Sequence, residues 1–383
     1  MHNKRLYFLD WIRIIAFFLL ILFHTGMYYV TWGWHVKSPN ASDAIEPLMM
    51  LSSPWRMTLL FLVSGVAACH LLDKLGTAQF ARQRSFRLLV PLVFGMFFIV
   101  PPQSYFEVVE KLNYAGSFSD FMHLYVTGYH GFCNKDGCLT IPTWNHLWFL
   151  PYLWAYTMIL AVVGTKRGGE ALAKLLTGWR LIVLPAALLA VIRMTLMPIF
   201  DTTHDLIHDW AMHAGYFSIF MMGALLAKQP QFWEATERAR FPALGIAFAC
   251  WACFVCYYSL PESMQDALNT MRTVYALCQW SAIVAVCGFG RRHLNFDSAK
   301  RRYLTEAVFP IYILHQTLIV CFAHSLKVAH IAPAIEYLVL VVLTTTTSFG
   351  IFEIVRRVPL LRPCFGLPRT EKTAALPAAV VVN

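Results

Sequence analysis

Apolar runs of about twenty residues recur along this 383-residue chain, with short polar connections between them. A helix of that length matches the hydrocarbon thickness of a bilayer, and a helix satisfies its own backbone where no water is present. Ten such segments can be drawn, at 9–30, 54–72, 88–106, 146–165, 180–200, 212–228, 241–260, 271–290, 307–326 and 334–355, the sixth being the shortest. With 58% hydrophobic and 14% charged residues, the chain lacks the polar surface of a water-soluble domain of its size. The pattern predicts an all-α polytopic membrane bundle of about ten transmembrane helices. One membrane domain is expected over 1–368, followed by a disordered cytoplasmic tail over 369–383.

Basic residues set the expected orientation. With the N-terminus in the cytoplasm, 23 of the 31 Lys and Arg fall on the inner side and 4 in the outer loops, which is the asymmetry that cytoplasmic loops show. Both termini are therefore expected to be cytoplasmic. The same scatter over inner loops accounts for the net charge of +10 and leaves no basic patch for nucleic acid, so no nucleic-acid partner is expected. Segment 9–30 is as long as a span and has no small-residue cleavage site after it, so it is expected to stay as the first helix. Cys250, Cys253 and Cys256 are spaced like ligands but lie in an apolar helix without a fourth ligand, so no metal is expected. Cys133 and Cys138 flank a turn-forming Asn134-Lys135-Asp136-Gly137 in a loop on the oxidising side, where a short disulfide and two free thiols are equally compatible with the sequence. The sequence fixes no oligomeric state and is compatible with a homo-oligomer.

Two costly residues stand in the first segment. Arg13 and His24 are eleven positions apart, so they share one helix face with an axial offset of about 16 Å. Such residues inside a span usually line a cavity or pathway. Asp10 precedes Arg13 by three positions and can pair with it near the inner surface, an arrangement that also anchors helices, and Arg13 can snorkel. His24 cannot snorkel, and an imidazole suits proton transfer at neutral pH. Arg82, Arg84 and Arg87 precede Pro91 at the inner mouth of the third segment, a spacing that can clamp phosphates or anchor the helix. Ser64-Gly65 permits close approach of a helix or a ligand. His146 and Trp148 open the fourth segment and Tyr312 and His315 lie in the ninth, while Arg56 and Arg193 are in-span cations of a kind more often structural than catalytic. The long loops 31–53 and 107–145 carry Trp32, Trp34, His35, Tyr114, Tyr125, Tyr129, His130 and Trp144, a mixture suited to stacking on a sugar or to an interfacial aromatic belt.

These residues resemble those of the acyltransferase-3 family of integral membrane acyltransferases. The likeness lies in Arg13 and His24 separated by ten residues, the stretch ending in Ser64-Gly65, and Arg84 and Arg87 ahead of Pro91. Within that family the chain is most similar to the glucans biosynthesis protein C group. That likeness is carried by Tyr7-Phe8-Leu9-Asp10, Trp34-His35-Val36, Arg56-Met57, His146-Leu147-Trp148-Phe149-Leu150, Leu294-Asn295-Phe296 with Ser298-Ala299, and Arg357-Val358-Pro359-Leu360-Leu361. The resemblance implies transfer of a succinyl or acetyl group from cytoplasmic acyl-coenzyme A to a hydroxyl of a periplasmic glucan across the bacterial inner membrane. The thioester is a co-substrate in this scheme, and no tightly bound cofactor is implied.

The resemblance also implies that Arg13 and His24 are the functional centre, with Asp10, Arg84, Arg87, Ser64 and Gly65 on the donor side. His24 would act as general base or would carry the acyl group itself. His35, Arg56, His146, Trp148, Tyr312 and His315 are the candidates for acceptor contact or for the oxyanion donor. The chain departs from the glucan group in the ninth segment, where a second histidine and a proline are expected after the histidine and Gln316-Thr317 follow His315 instead. Other functions compatible with the residues are acetylation of another envelope polysaccharide or lipopolysaccharide, glycan transport or export without chemistry, and a scaffold for glucan synthesis.

Overall fold

The computed structural model describes residues 6–135, 137–165, 168–261 and 267–369. The expected tail therefore lies, apart from Arg369, outside the described residues. Among the described residues fourteen α-helices follow one another: α1 Tyr7–Met27, α2 Glu46–Met50, α3 Arg56–Leu75, α4 Thr77–Phe94, α5 Pro101–Leu112, α6 Phe118–Thr127, α7 Phe149–Val163, α8 Gly169–Leu175, α9 Arg180–Thr195, α10 Trp210–Leu226, α11 Pro230–Tyr258, α12 Leu268–His293, α13 Ala299–Leu326 and α14 Pro333–Arg357. Among the described residues the strands are a two-residue antiparallel pair, Cys133–Asn134 with Gly137–Cys138.

All ten expected segments are helical, but they are not ten equal spans. Among the described residues seven helices are long and apolar enough to cross a membrane, or up to nine if each of two bent pairs counts as one span. The third expected segment is bent by 41° between α4 with its last turn and α5, and α9, which fills most of the fifth, follows α8 at an angle of 106°. The sixth is α10, only 17 residues long. The protein is thus a multi-pass helical membrane protein whose irregular segments are the ones that composition alone reads as continuous.

The third segment bends for a reason visible in Val100-Pro101-Pro102. Proline has no N–H to continue the ladder and is accepted at the first positions of a new helix. Just before it, Gly95–Ile99 widens into a π-turn in which the Val100 N–H donates to the Gly95 carbonyl at 2.8 Å. Such turns free carbonyls from the α-helical pattern. The Ile99 carbonyl accepts from the Thr317 hydroxyl at 2.8 Å.

Helices α12 and α13 are the most enclosed spans, with about two thirds or more of their apolar windows buried (67% and 72%), whereas α11 and α14 are only 28% buried and face outward. Helix α1 packs against α3, α12, α13 and α14 and so runs through the interior. Lipid tails are as apolar as leucine, so close packing and polar bonds hold such helices together. In the α3–α10 seam a Cβ on Gly65 would run into the Phe220 carbonyl and one on Gly223 into the Leu62 carbonyl, so the two backbones touch. Gln279 on α12 donates to the Thr58 hydroxyl on α3 at 2.5 Å, and the Trp280 indole donates to the Leu181 carbonyl at 2.7 Å.

Residues 107–145 build a separate small core. Val108, Phe121, Tyr125, Phe132 and Ile141 are buried against one another. Helix α6 begins at a reciprocal Ser117/Asp120 capping box. A disulfide joins Cys133 and Cys138 across the two strands, which settles the alternative the sequence leaves open.

Candidate active site

Four histidines that are far apart in sequence converge near the C-terminal end of α1. His24 comes from α1, His35 from the loop after it, His146 from the 3-10 turn Asn145–Trp148, and His315 from the middle of α13. The His24 and His315 rings stack at 5.0 Å between centroids, and His146 meets His315 edge-on at 5.2 Å. Asn145 enters the 3-10 turn with φ +41°, a left-handed conformation that asparagine tolerates better than most residues.

The hydrogen bonds assign a tautomer to each ring. His315 Nδ1 lies 2.7 Å from the Tyr312 carbonyl, which can only accept, so Nδ1 carries the proton and Nε2 holds the lone pair. His24 Nδ1 is 2.8 Å from that Nε2 and must donate to it. The lone pair of His24 is therefore on Nε2, where no protein group bonds to it among the described residues. His146 Nε2 donates to the Ile313 carbonyl at 3.0 Å, leaving its Nδ1 to accept from the Gln103 amide at 3.2 Å. His35 Nδ1 donates to Glu107 at 2.6 Å, and its Nε2 accepts from Gln316 at 2.9 Å. The second Gln316 proton goes to the Gln103 carbonyl oxygen at 3.2 Å, which also takes one from Asn145 at 3.3 Å, and the second Gln103 proton goes to Thr317 at 2.5 Å. With these tautomers each of the four rings donates through one nitrogen, and His24 Nε2 is the ring lone pair left without a protein partner among the described residues.

The other candidates take different places. Tyr312 donates its hydroxyl to the His146 carbonyl at 2.7 Å and so braces that turn. His315 presents a lone pair to His24. Neither has a proton to offer a nearby oxyanion. Arg56 is 4% exposed, sits over the Phe23 ring at 3.9 Å and donates to Ser52 at 3.1 Å, and its charge reaches His24. Trp148 stacks with Tyr216 and leans on His204, forming an aromatic wall beside His146.

The loop ahead of α10 closes this end. The Trp144 indole donates to the His204 carbonyl at 3.0 Å, and Tyr152 donates to Asp209 at 2.6 Å. Within the loop, burial by itself would raise the Asp205 carboxyl. The His208 and Ile207 N–H groups, each at 2.7 Å, and the Thr203 hydroxyl bring it down to about 2. A carboxylate depressed on folding stabilises the loop above its ordinary value and loses that contribution as the pH falls towards its folded value. Protection of the Ile207 and His208 amides from hydrogen exchange should therefore drop between about pH 3.8 and 2 in the native protein, and should already be low at neutral pH in Asp205→Ala.

At the opposite end of α1 lies a cluster of guanidiniums. The expected Asp10–Arg13 pair is present at 3.4 Å, and the other Asp10 oxygen is bonded by Arg301, which is 2% exposed and also binds Asp297 at 2.8 Å. Arg87 donates twice to the Gly366 carbonyl, at 3.3 and 3.1 Å, and thereby ties α4 to the chain after α14. Arg84 stands beside Arg13 and Arg87, over the Phe80 ring at 5.8 Å, and its buried Nε has no hydrogen-bond partner among the described residues. Gly65 faces the α10 backbone and not an open site, because the contact with Phe220 occupies the space its missing side chain leaves.

Sequence reasoning missed Gln103, Glu107, Gln316, Thr317 and Arg301 as members of these clusters. Gln103 was detectable as a polar residue within an apolar segment. Glu107 and Arg301 look like ordinary loop-proximal charges until the fold pairs them.

The bundle thus holds an imidazole with an unengaged lone pair at one end of a central helix and a group of guanidiniums at the other, within a membrane domain. This arrangement suits group transfer between a proton-bearing nucleophile and an anionic carrier. The chain belongs to the acyltransferase-3 family, whose acyltransferase domain matches residues 6–353. It is a membrane acyltransferase. It is 26% identical to glucans biosynthesis protein C of Escherichia coli O1:K1 over 385 residues and 25% identical to that of Escherichia coli K12 over 381, in each case over 94% of both chains. No solved structure matches it significantly.

Proposed function

We propose that the protein transfers a succinyl or acetyl group from cytoplasmic acyl-coenzyme A to a hydroxyl of a periplasmic glucan, across the bacterial inner membrane. The lone pair left on His24 Nε2 is the observation that carries this reading. A glucan hydroxyl gives its proton to Nε2 as its oxygen attacks the thioester carbonyl. The imidazolium that forms keeps its Nδ1 proton bonded to His315, and Arg56 supports the negative charge on the carbonyl oxygen. Collapse breaks the C–S bond, the ester remains on the glucan, and the coenzyme A thiolate recovers the proton from His24 directly or through water.

At the other end, Arg84, Arg87 and Arg13 receive the donor's phosphates. Arg84 has the most to gain, since its buried Nε has no hydrogen-bond partner among the described residues. A charge-assisted hydrogen bond is worth about 1.5–3 kcal/mol, so Arg84→Ala should raise the KM for acyl-coenzyme A by about ten- to a hundredfold with a smaller change in kcat. An unchanged KM would remove Arg84 from the donor site. The reading as a whole is tested by incubating the purified protein in proteoliposomes with labelled acyl-coenzyme A and glucan. Release of free coenzyme A together with a glucan heavier by one acyl group is expected. Glucan movement across the membrane without acylation would favour a transporter.

A further inference from the structure

A groove with a volume of about 420 Å³ runs along the bundle between α1, α11 and α12. It exists because small residues stand where larger ones would close the seam, namely Ala16 on α1, Ala247 on α11, and Ala282 and Ala285 on α12. Along α1 its wall is Ile12, Ile15, Ala16 and Leu19, a stripe about 120° round the helix from Arg13 and His24. The groove is therefore off the path between the guanidiniums and the histidines. Ile15 and Phe248 in its wall are 46% and 47% exposed, so it opens sideways to the bilayer. On α12 it extends from Cys278 to His293, about 22 Å at 1.5 Å per residue. Its mean cross-section is then about 20 Å², room for one hydrocarbon chain, whereas a helix with its side chains is about 10 Å across.

The two ends of the groove differ. Near Leu51 and Trp55 it is shut, because the Trp251 indole donates to the Pro47 carbonyl at 2.8 Å and the Trp55 indole to the Leu51 carbonyl at 2.7 Å. At the end nearer Arg13, the α11 wall of Trp251, Phe248 and Leu244 continues at the same spacing to Arg240, and the α12 wall ends on His293. The Arg240 guanidinium lies 5.9 Å from the ring of Phe289, a groove residue, and its Nε is buried without a hydrogen bond. Its Nη1 donates to the Glu237 carbonyl at 2.6 Å, while the nearby carboxylates of Glu234 and Glu237 are paired with Arg291 and Arg292. Arg240 is thus left without a carboxylate partner among the described residues, at the open mouth of an apolar groove.

We propose that the groove binds one acyl chain of an anionic glycerophospholipid, with the headgroup phosphate between Arg240 and His293. A chain that leaves the bilayer for the groove keeps apolar surroundings, since lipid tails are as apolar as leucine. Close contact with the groove wall and the charge on the headgroup therefore carry the preference. The seated chain braces α1 on the side away from His24.

The test washes the purified protein free of lipid in detergent and adds palmitoyl-oleoyl phosphatidylglycerol or phosphatidylcholine, which share their chains and differ in headgroup charge. Native mass spectrometry should show one phosphatidylglycerol retained per chain. Tm should rise with either lipid and saturate at a concentration about fivefold or more lower for phosphatidylglycerol. Ala282→Leu, which places a side chain in the groove, should abolish both the retention and the rise. Arg240→Gln should keep the chain and bring the two lipids level. Absence of retained phospholipid, equal response to the two lipids in the wild type, retention by Ala282→Leu as in the wild type, or an unchanged preference in Arg240→Gln each overturns the assignment. Tighter binding of a polyprenyl phosphate overturns it by changing the class of lipid, and a dimer that Ala282→Leu separates overturns it by filling the groove with a second copy. Should Ala282→Leu fail to fold, the wild-type preference and Arg240→Gln decide the matter. None of these readouts involves turnover, so they are independent of the acyl transfer proposed above.

Discussion

Replacing His24 by glutamine should lower kcat for acyl transfer by about 10²- to 10⁴-fold, the range that a positioned general base contributes, with little change in thermal stability. Glutamine keeps an N–H to donate to His315 but offers no basic nitrogen to the acceptor. Purified variants assayed for coenzyme A release would show it, and normal turnover by His24→Gln would sink the assignment. The bond from His24 Nδ1 to His315 Nε2 adds a second, graded expectation. His315→Gln still presents an acceptor oxygen and should retain more activity than His315→Leu, which leaves His24 free to adopt the other tautomer. That ordering separates a positioning role from a merely structural one, because both substitutions alter packing.

The largest expected effect on the fold is at Gly65. Adding a valine side chain where the α10 backbone already touches α3 forces the two helices apart. Overpacking of this kind costs about 1–3 kcal/mol, and in a seam made of backbone the neighbouring carbonyl cannot rotate aside as a side chain would. Gly65→Val should therefore give less folded protein and a lower Tm in detergent, with Gly223→Val behaving alike. A Tm equal to the native value in both variants would show that the seam yields freely.

Much of the architecture is legible from the sequence because membrane helices announce themselves by length and apolarity. What composition cannot show is where a span breaks. The run 88–106 reads as continuous, yet Pro101 and Pro102 interrupt its backbone ladder and turn Gln103 towards His146. The short α10 is held against α3 by Gly65 and Gly223 and does not need a full span's length of apolar residues. The site is legible in its parts, with Arg13, His24, His146 and His315 each conspicuous as polar groups in apolar surroundings. Their convergence is not, since His24 and His315 are 291 positions apart and nothing local to either indicates the other. Gln316, which stands where the related group was expected to carry a second histidine, turns out to satisfy the lone pair of His35. A polar side chain therefore serves the network at this position, and an imidazole is not required there. Asp10 shows the same limit, because its local partner Arg13 was readable but its bond to Arg301 depends on how α13 packs against α1.

The small core formed by Val108, Phe121, Tyr125, Phe132 and Ile141 packs within residues 107–145 and shares none of its members with the histidine network. Tyr125 is its tether to the bundle: the hydroxyl bonds the Met96 carbonyl and Thr143, which leads into the turn that carries Asn145 and His146. Changes on the far side of this cap, away from Tyr125 and Glu107, can therefore alter its outer surface while the histidine network keeps its supports.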